Sequence, residues 1–456
     1  MGSKWVHAKL GDYIHSNLGK MLDQNKNKGD FQPYLGNSNV RWGYFDLEDL
    51  SLMKFEEHES DRYGIRKGDL IICEGGEPGR CAIWEDDVPN MKIQKALHRV
   101  RPLPGLTSEY LYYWFLYFGR TGQLDAYFTG TTIKHLTGKA LAELPIKIPT
   151  VDEQKYISVV LGSLDAKIKA NRKINQTLEQ MSQTLFKSWF VDFDPVIDNA
   201  LDAGNPIPEA LQSRAELRQK VRNSADFKPL PADIRAMFPA EFEETELGWV
   251  PKGWSVTELG QLVTVKRGGS PRPIHDFLRA DGLPWVKISD ATASSSRFLM
   301  STKEFIKIEG LNKTVLLKKG NLILSNSATP GLPKFLDIEA CIHDGWLYFP
   351  EKGKLTDVYL YNLFLEIKER LISQGNGSVF TNLKTDILKQ FKITVPGEDI
   401  ISYFDKRGTE LHKKILYITK NTETLIALRD TLLPKLISGE LSLEDLPDII
   451  KQTEAA

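Results

Sequence analysis

Apolar positions along this chain change period from one stretch to the next. DLIICE (69–74) and NLILSN (321–326) are short apolar runs closed by Gly or Asn, the pattern of buried strands. TSEYLYYWFLYF (107–118) and TDVYLYNLFLEI (356–367) open on Thr with an acid close behind and continue at helical spacing. LPIKIP (144–149) and FKITVP (391–396) alternate and read as closing strands. WVHAKLGDYI (5–14) reads as a strand or turn entering a helix.

After each closing proline the spacing becomes 4,3. Ile157, Leu161, Leu164, Ile168, Asn171, Asn175, Leu178, Ser182, Leu185 and Trp189 follow it in one stretch, and Phe404, Gly408, Leu411, Ile415, Ile418, Thr422, Leu425 and Leu432 in the other. Each is a heptad seam with polar interruptions at Asn171, Asn175 and Thr422, which suit register-setting. The two predicted helices, of about 38 residues and about 57 Å each, suit an antiparallel coiled coil; the plainer alternative is that each stripe packs on its own globule. The candidate seam and partner-binding residues are Leu164, Ile168, Leu178, Leu185, Phe186, Trp189 and Phe190 on the first helix, and Leu411, Ile415, Leu425, Leu432 and Leu433 on the second. The apolar side at Phe186, Trp189 and Phe190 is wider than a two-helix seam uses. The surplus points to the flank of the opposite globule or to a docked partner helix.

These stretches are repeats. WVHAKLGDYI is answered by WSVTELGQLV (254–263) and RKGDLIICEGGEPG (66–79) by KKGNLILSNSATPG (318–331). GTTIKHLTGKALAELPIKIP (130–149) is answered by GSVFTNLKTDILKQFKITVP (377–396). With LYYWF (111–115) against LYNLF (360–364), the four matches keep one order at nearly one offset, so the chain holds two copies of one α+β unit of about 140–150 residues. The expected organisation is a first unit at 1–150, a spacer helix at 151–191, a crossover linker at 192–250, a second unit at 251–396, a second spacer helix at 397–438 and an acidic tail at 439–456. The linker is rich in Pro, Ala and charge, with a short helix expected around 208–222.

Composition adds bounds. The 456 residues are 41% hydrophobic and 26% charged, with net charge −1, so a uniformly basic DNA coat is excluded while a local basic groove is not. Three cysteines (Cys73, Cys81 and Cys341) without a C-x-x-C pair support neither a disulfide framework nor a zinc knuckle. No apolar run suits a membrane span and no signal-peptide core stands at the start, which points to the cytoplasm.

No stretch carries the residues a catalyst needs. GGEPGR (75–80) lacks the Lys-Ser/Thr of a P-loop. VDFDPV (191–196) lacks the second proline and aromatic of an amino-methyltransferase motif, and Cys81 has no His partner in sequence. Asp69, Glu74 and Glu77 make a divergent nuclease one alternative, and a coiled-coil scaffold joining two protein-binding modules is another.

Two similar globules on a spacer suit a bivalent reader of duplex DNA, where grooves one turn apart are about 34–36 Å distant. The loops carry the side chains for it. In the first unit the candidate DNA-binding residues are Lys20, Lys26, Lys28, Asn37, Asn39, Arg41, Trp42, Glu74, Arg80, Lys134 and His135. In the second they are Lys266, Arg267, Ser270, Arg272, Lys287, Ser289, Asp290, Asn326, Ser327, Thr381 and Asn382. Lys and Arg neutralise phosphates, and Arg and Asn read base edges.

LPIKIPTVDEQKYISVVLGSLDAKIKANRKINQTLEQMSQTLFKSWFVDFDP (144–195), ELGWVPKGW (246–254) and LRDTLLPKLISGEL (428–441) strongly resemble the specificity subunits of type I restriction-modification systems, over nearly the whole chain. The resemblance implies that each unit is a target recognition domain reading one half of a split double-stranded DNA sequence, the first unit the 5′ half and the second the 3′ half. It implies two methyltransferase subunits as partners and up to two restriction (motor-nuclease) subunits. S-adenosylmethionine, ATP and Mg are then expected on those partners, with no cofactor and no catalysis in this chain. The long linker after FVDFDP and the weaker helix start GEDIISYF (397–404) depart from the family pattern.

Overall fold

The computed structural model describes residues 5–23, 27–48, 50–130, 134–374 and 382–441. The chain divides into two compact units, Met1–Ala170 with Thr422–Ala456, and Asn171–Asn421.

The first unit is built on an antiparallel sheet in the order Ile14–Leu18, Leu97–Pro102, Leu70–Cys73, Cys81–Ile83. LIIC is wholly buried, which is why this strand is apolar without alternation. A smaller sheet places Asp30–Leu35 between Ser51–Phe55, antiparallel, and Lys92–Ile93, parallel. WVHAKLGDYI forms a strand, Val6–Lys9, then a single 3-10 turn rather than a helix, because Ile14 already starts the next strand. Val6–Lys9 pairs with the closing strand Pro145–Ile148. The helix Ser108–Arg120 is capped by Thr107, whose hydroxyl accepts the Tyr110 N–H at 3.3 Å.

The second unit repeats this plan with additions. Lys266–Arg267, Trp346–Tyr348, Leu322–Ser325 and Pro333–Leu336 form the corresponding sheet, widened by Phe298–Leu299. Leu283–Val286 lies between Glu304–Ile306 and Ala340–Ile342, again one antiparallel and one parallel neighbour, and this sheet gains Leu278–Arg279 and Val315–Leu317. Ser255–Glu258 pairs with Lys392–Val395.

Two long helices complete the repeat, Val151–Phe190 and Glu398–Ser438. The first starts on a reciprocal cap: Thr150 Oγ1 accepts the Glu153 N–H at 3.3 Å, and the Glu153 carboxylate accepts the Thr150 N–H at 2.9 Å. In the second unit the helices run antiparallel through polar pairs, Asn171 Nδ2 donating to Asn421 Oδ1 (2.9 Å) and Asn175 Nδ2 to Thr419 Oγ1 (3.0 Å). In the first unit Arg429 joins them by an ion pair with Asp165 at 2.7 Å.

The surplus width of LEQMSQTLFKSWF is taken up inside the second unit. Phe186 lies 5.1 Å from Tyr359 and 5.7 Å from Phe404, ring to ring, Phe190 lies 5.1 Å from both, and Trp189 lies 5.1 Å from Phe238. All three are buried, so they offer no surface to a docked partner helix. The helix ends where Phe193 turns left-handed (φ 55°) and buries its ring against Trp254. In the first unit Leu432, Leu433, Leu436 and Ile437 enter the core that holds Tyr110, Trp114, Ile157 and Leu161.

Residues 192–250 are folded rather than a plain linker. Asp194–Ala203 and Gln212–Arg222 form two helices laced by ion pairs at one spacing: Arg214 with Asp194 (2.6 Å), Arg218 with Asp198 (2.5 Å) and Arg222 with Asp202. Four-residue spacing on both helices puts the acids on one face and the arginines on the other. The hairpin Phe242–Thr245 and Gly248–Pro251 then leads into the strand Ser255–Glu258. The acidic tail beyond residue 441 lies outside the described residues.

Phe186→Ala removes a fully packed ring from this core. It is expected to cost about 3–5 kcal/mol in denaturant unfolding of the second unit. A loss under about 1 kcal/mol contradicts the packing described.

Candidate nucleic-acid interface

In the first unit three stretches distant in sequence meet. Arg80 sits in the turn between Leu70–Cys73 and Cys81–Ile83; its guanidinium donates to the Asn37 carbonyl (2.9 Å) and to Glu77 (2.9 Å). Glu77 also accepts the Trp42 indole N–H at 2.7 Å. The Glu74 carbonyl accepts the Leu136 N–H at 2.7 Å, which brings Lys134 and His135 alongside. Gly75 and Gly76 permit this approach: a Cβ on Gly75 stands 3.1 Å from His135 Nδ1, and Gly76 has φ +74° with Asn37 against it.

The second unit reproduces several bonds of this frame. The Asn326 carbonyl accepts the Leu383 N–H at 2.7 Å, as Glu74 does from Leu136. Gly331 donates to the Ser325 carbonyl at 2.9 Å, as Gly79 does to Cys73 at 3.0 Å. Gly268 donates to Trp346 at 2.8 Å, as Gly19 does to Leu97 at 2.9 Å. The loops of this frame border a cleft of about 460 Å³ lined by Ser270, Arg272, Trp285, Lys287, Ser289 and His343 among others. Ion pairs shape its rim, Lys287 with Glu304 at 2.5 Å and Arg272 with Asp344 at 3.5 Å. Burial pushes the His343 imidazole below its usual pKa, and its Nδ1 accepts the Gly345 N–H at 2.7 Å. Burial alone raises the Asp344 carboxyl; the Ser270 hydroxyl and nearby charges outweigh it and hold the group below the usual carboxylate value.

Several of the residues expected to meet DNA have their side chains engaged within the fold. Asn39 Oδ1 accepts the Gly36 N–H at 2.9 Å and Asp290 Oδ2 accepts the Lys287 N–H at 2.9 Å, so these two are matching turn caps in the two copies. Lys20 is buried, with Nζ on Glu59 (2.5 Å) and on the Lys54 carbonyl (3.0 Å). Asn326 is buried and donates to the Asp344 carbonyl at 3.3 Å. Arg41 donates to the Ser38 carbonyl at 2.5 Å and lies 3.7 Å from Asp46. Glu74 and Ser327 are half-buried in the turns, and Lys134 pairs with Asp125 at 3.3 Å. Lys28, Lys266, Arg267, Arg272, Ser289 and Asn382 are exposed. Lys26 and Thr381 lie outside the described residues. The acids that organise both sites, Glu77 and Asp344, carry no sequence signal of that role, because the groups they hold come from distant loops.

The nuclease alternative finds its acids engaged as well. Asp69 is buried against Arg101 (2.6 Å), and Glu77 holds Trp42 and Arg80. Among the described residues no three His, Cys, Asp or Glu side chains are grouped to hold a metal. The Cys81 thiol is pushed well up by burial, away from thiolate chemistry. No described helix is long and apolar enough to cross a membrane.

A doubled frame of matching main-chain bonds carrying different loop side chains defines a two-module recognition protein. The chain belongs to the family of the type I restriction modification DNA specificity domain, whose model matches residues 2–180 and 251–419. It is 26% identical to the type I restriction enzyme HindI specificity subunit of Haemophilus influenzae, over 96% of this chain and 100% of that one. It is 25% identical to the MjaIX specificity subunit of Methanocaldococcus jannaschii, over 83% and 79%. The S subunit of the type I system from M. genitalium shares the fold, with TM-score 0.53 at 16% identity over 96% of each chain. As a specificity subunit the chain reads a DNA target and is the non-catalytic part of its enzyme.

If Asn39 and Asp290 are turn caps, Asn39→Ala and Asp290→Ala each lower stability by about 1 kcal/mol in denaturant unfolding and leave the DNA sequence selected unchanged. A changed target sequence with unchanged stability contradicts that role.

Proposed function

We propose that this chain reads a split double-stranded DNA target, the first unit taking the 5′ half and the second the 3′ half. It recruits two methyltransferase subunits and up to two restriction subunits. S-adenosylmethionine serves the former, ATP and Mg the latter, and the complex acts in the cytoplasm against invading DNA. The observation that supports this best is the repeated frame with divergent side chains: Asn37, Arg80 and His135 of one copy stand where the other has Ile288, Leu332 and Asn382. An unchanged scaffold under changed donors and acceptors is what two readers of different sequences require. The exposed Lys266 suits a phosphate contact, which positions the module without selecting sequence.

The test is exchange of residues 254–396 for the second unit of another specificity subunit, followed by sequencing of methylated sites in cells that also carry the methyltransferase subunit. One half of the methylated sequence changes and the other stays. If both halves change, or neither does, the modular reading is wrong. Lys266→Ala is expected to weaken target and scrambled duplexes alike and to lower the salt slope of binding by about one.

A further inference from the structure

We propose that Asp344 is a positioning residue for DNA reading by the second unit: its carboxylate draws Arg272, and its main-chain carbonyl with the same carboxylate nearby draws Arg267, so that both guanidinium groups stand ready for guanine edges. The inference rests on the reading that this loop set faces DNA.

The geometry centres on one side chain. Asp344 Oδ1 accepts the Ser270 hydroxyl at 2.6 Å. Its Oδ2 faces Arg272 Nη2 at 3.5 Å and Arg267 Nη2 at 3.9 Å. Its main-chain carbonyl accepts Arg267 Nε at 2.5 Å and Asn326 Nδ2 at 3.3 Å. Asp344 thus ties the strand Lys266–Arg267, the following loop and the turn at Asn326 together beside the cleft.

Stability does not account for the charge. Ser270 needs an acceptor, which an amide oxygen supplies as well as a carboxylate. The arginine side chains are 56% and 77% exposed, and ion pairs that exposed add little to folding. Against DNA, moreover, a carboxylate repels the backbone and lowers affinity. Its compensation is selectivity. With Arg272 against the carboxylate and Arg267 on the main-chain carbonyl of the same residue, both guanidinium groups have less rotamer freedom to lose on binding. Arg presents a planar fork that matches guanine O6 and N7, and an arginine that leaves Asp344 for a misplaced phosphate brings that phosphate towards a negative charge. The first unit reaches the same arrangement from another position: Glu77 holds Trp42 and Arg80 there, while Lys95 occupies the repeat position of Asp344.

The test uses the full chain with its methyltransferase subunits and compares Asp344→Asn with the unaltered complex on target and scrambled duplexes at several salt concentrations, together with the methylated sequence in cells. Asp344→Asn keeps the Ser270 bond and leaves the melting temperature in place. Scrambled-duplex affinity rises about threefold and the ratio of target to scrambled affinity falls about tenfold. Discrimination is lost at G·C pairs in one half of the site, and Asp344→Glu restores it. If Arg267→Ala and Arg272→Ala weaken binding while Asp344→Asn preserves both ratio and methylated sequence, Asp344 is a surface ion pair and the proposal falls alone. If the two arginine variants leave binding unaltered, the loop does not face DNA, and the reading beneath the proposal falls with it.

Discussion

Each unit of this protein depends on apolar side chains that arrive at the end of a long helix. The second unit closes its core over Phe186, Trp189 and Phe190, which belong to the helix that follows the first unit. The first unit closes its core over Leu432, Leu433, Leu436 and Ile437, near the C-terminal end of the helix that follows the second. Burying such side chains is the largest favourable contribution available to either core. Neither copy of the repeat is therefore complete without sequence that lies next to the other copy. The buried Arg297, paired with Glu179 and stacked on Tyr361 at 4.4 Å, adds a charged anchor for the first helix in the second unit.

With the cores closed in this way, the loops are free to differ. Many of the main-chain bonds that shape the two recognition surfaces recur at the repeat offset with nearly equal lengths, while loop side chains such as Arg80 and Leu332, or His135 and Asn382, differ between the copies. Backbone geometry then carries the position of the reader and side chains carry what is read. The caps Asn39 and Asp290 belong to the first class although they are polar and lie within the loops.

Much of the fold was legible in sequence. The corresponding strands LIIC and LILS, the Thr-capped helices and both long helices stood out because their signals are local: period, cap and apolar run. The polar interruptions of the heptad stripe at Asn171 and Asn175, which suit register-setting, pair with Asn421 and Thr419. The ladder of 194–222 was less visible because each Asp meets an Arg 20 residues further along the chain, beyond the reach of a local pattern. Its spacing, D-x3-D-x3-D followed by R-x3-R-x3-R, was nevertheless present to be read. The candidate site was legible as a set of loops and not as a set of side chains. Lys20 and Asn326 look like surface ligands in sequence, and only long-range packing buries them. Glu77 and Asp344 look incidental, and only long-range packing makes them centres.

The claim that two repeated units read two separate halves is tested most directly by mapping methylated bases in the DNA of cells carrying this chain with its methyltransferase subunit. The account predicts two short specified blocks, unlike each other and separated by unspecified bases. A single contiguous block, or a palindrome, would contradict it.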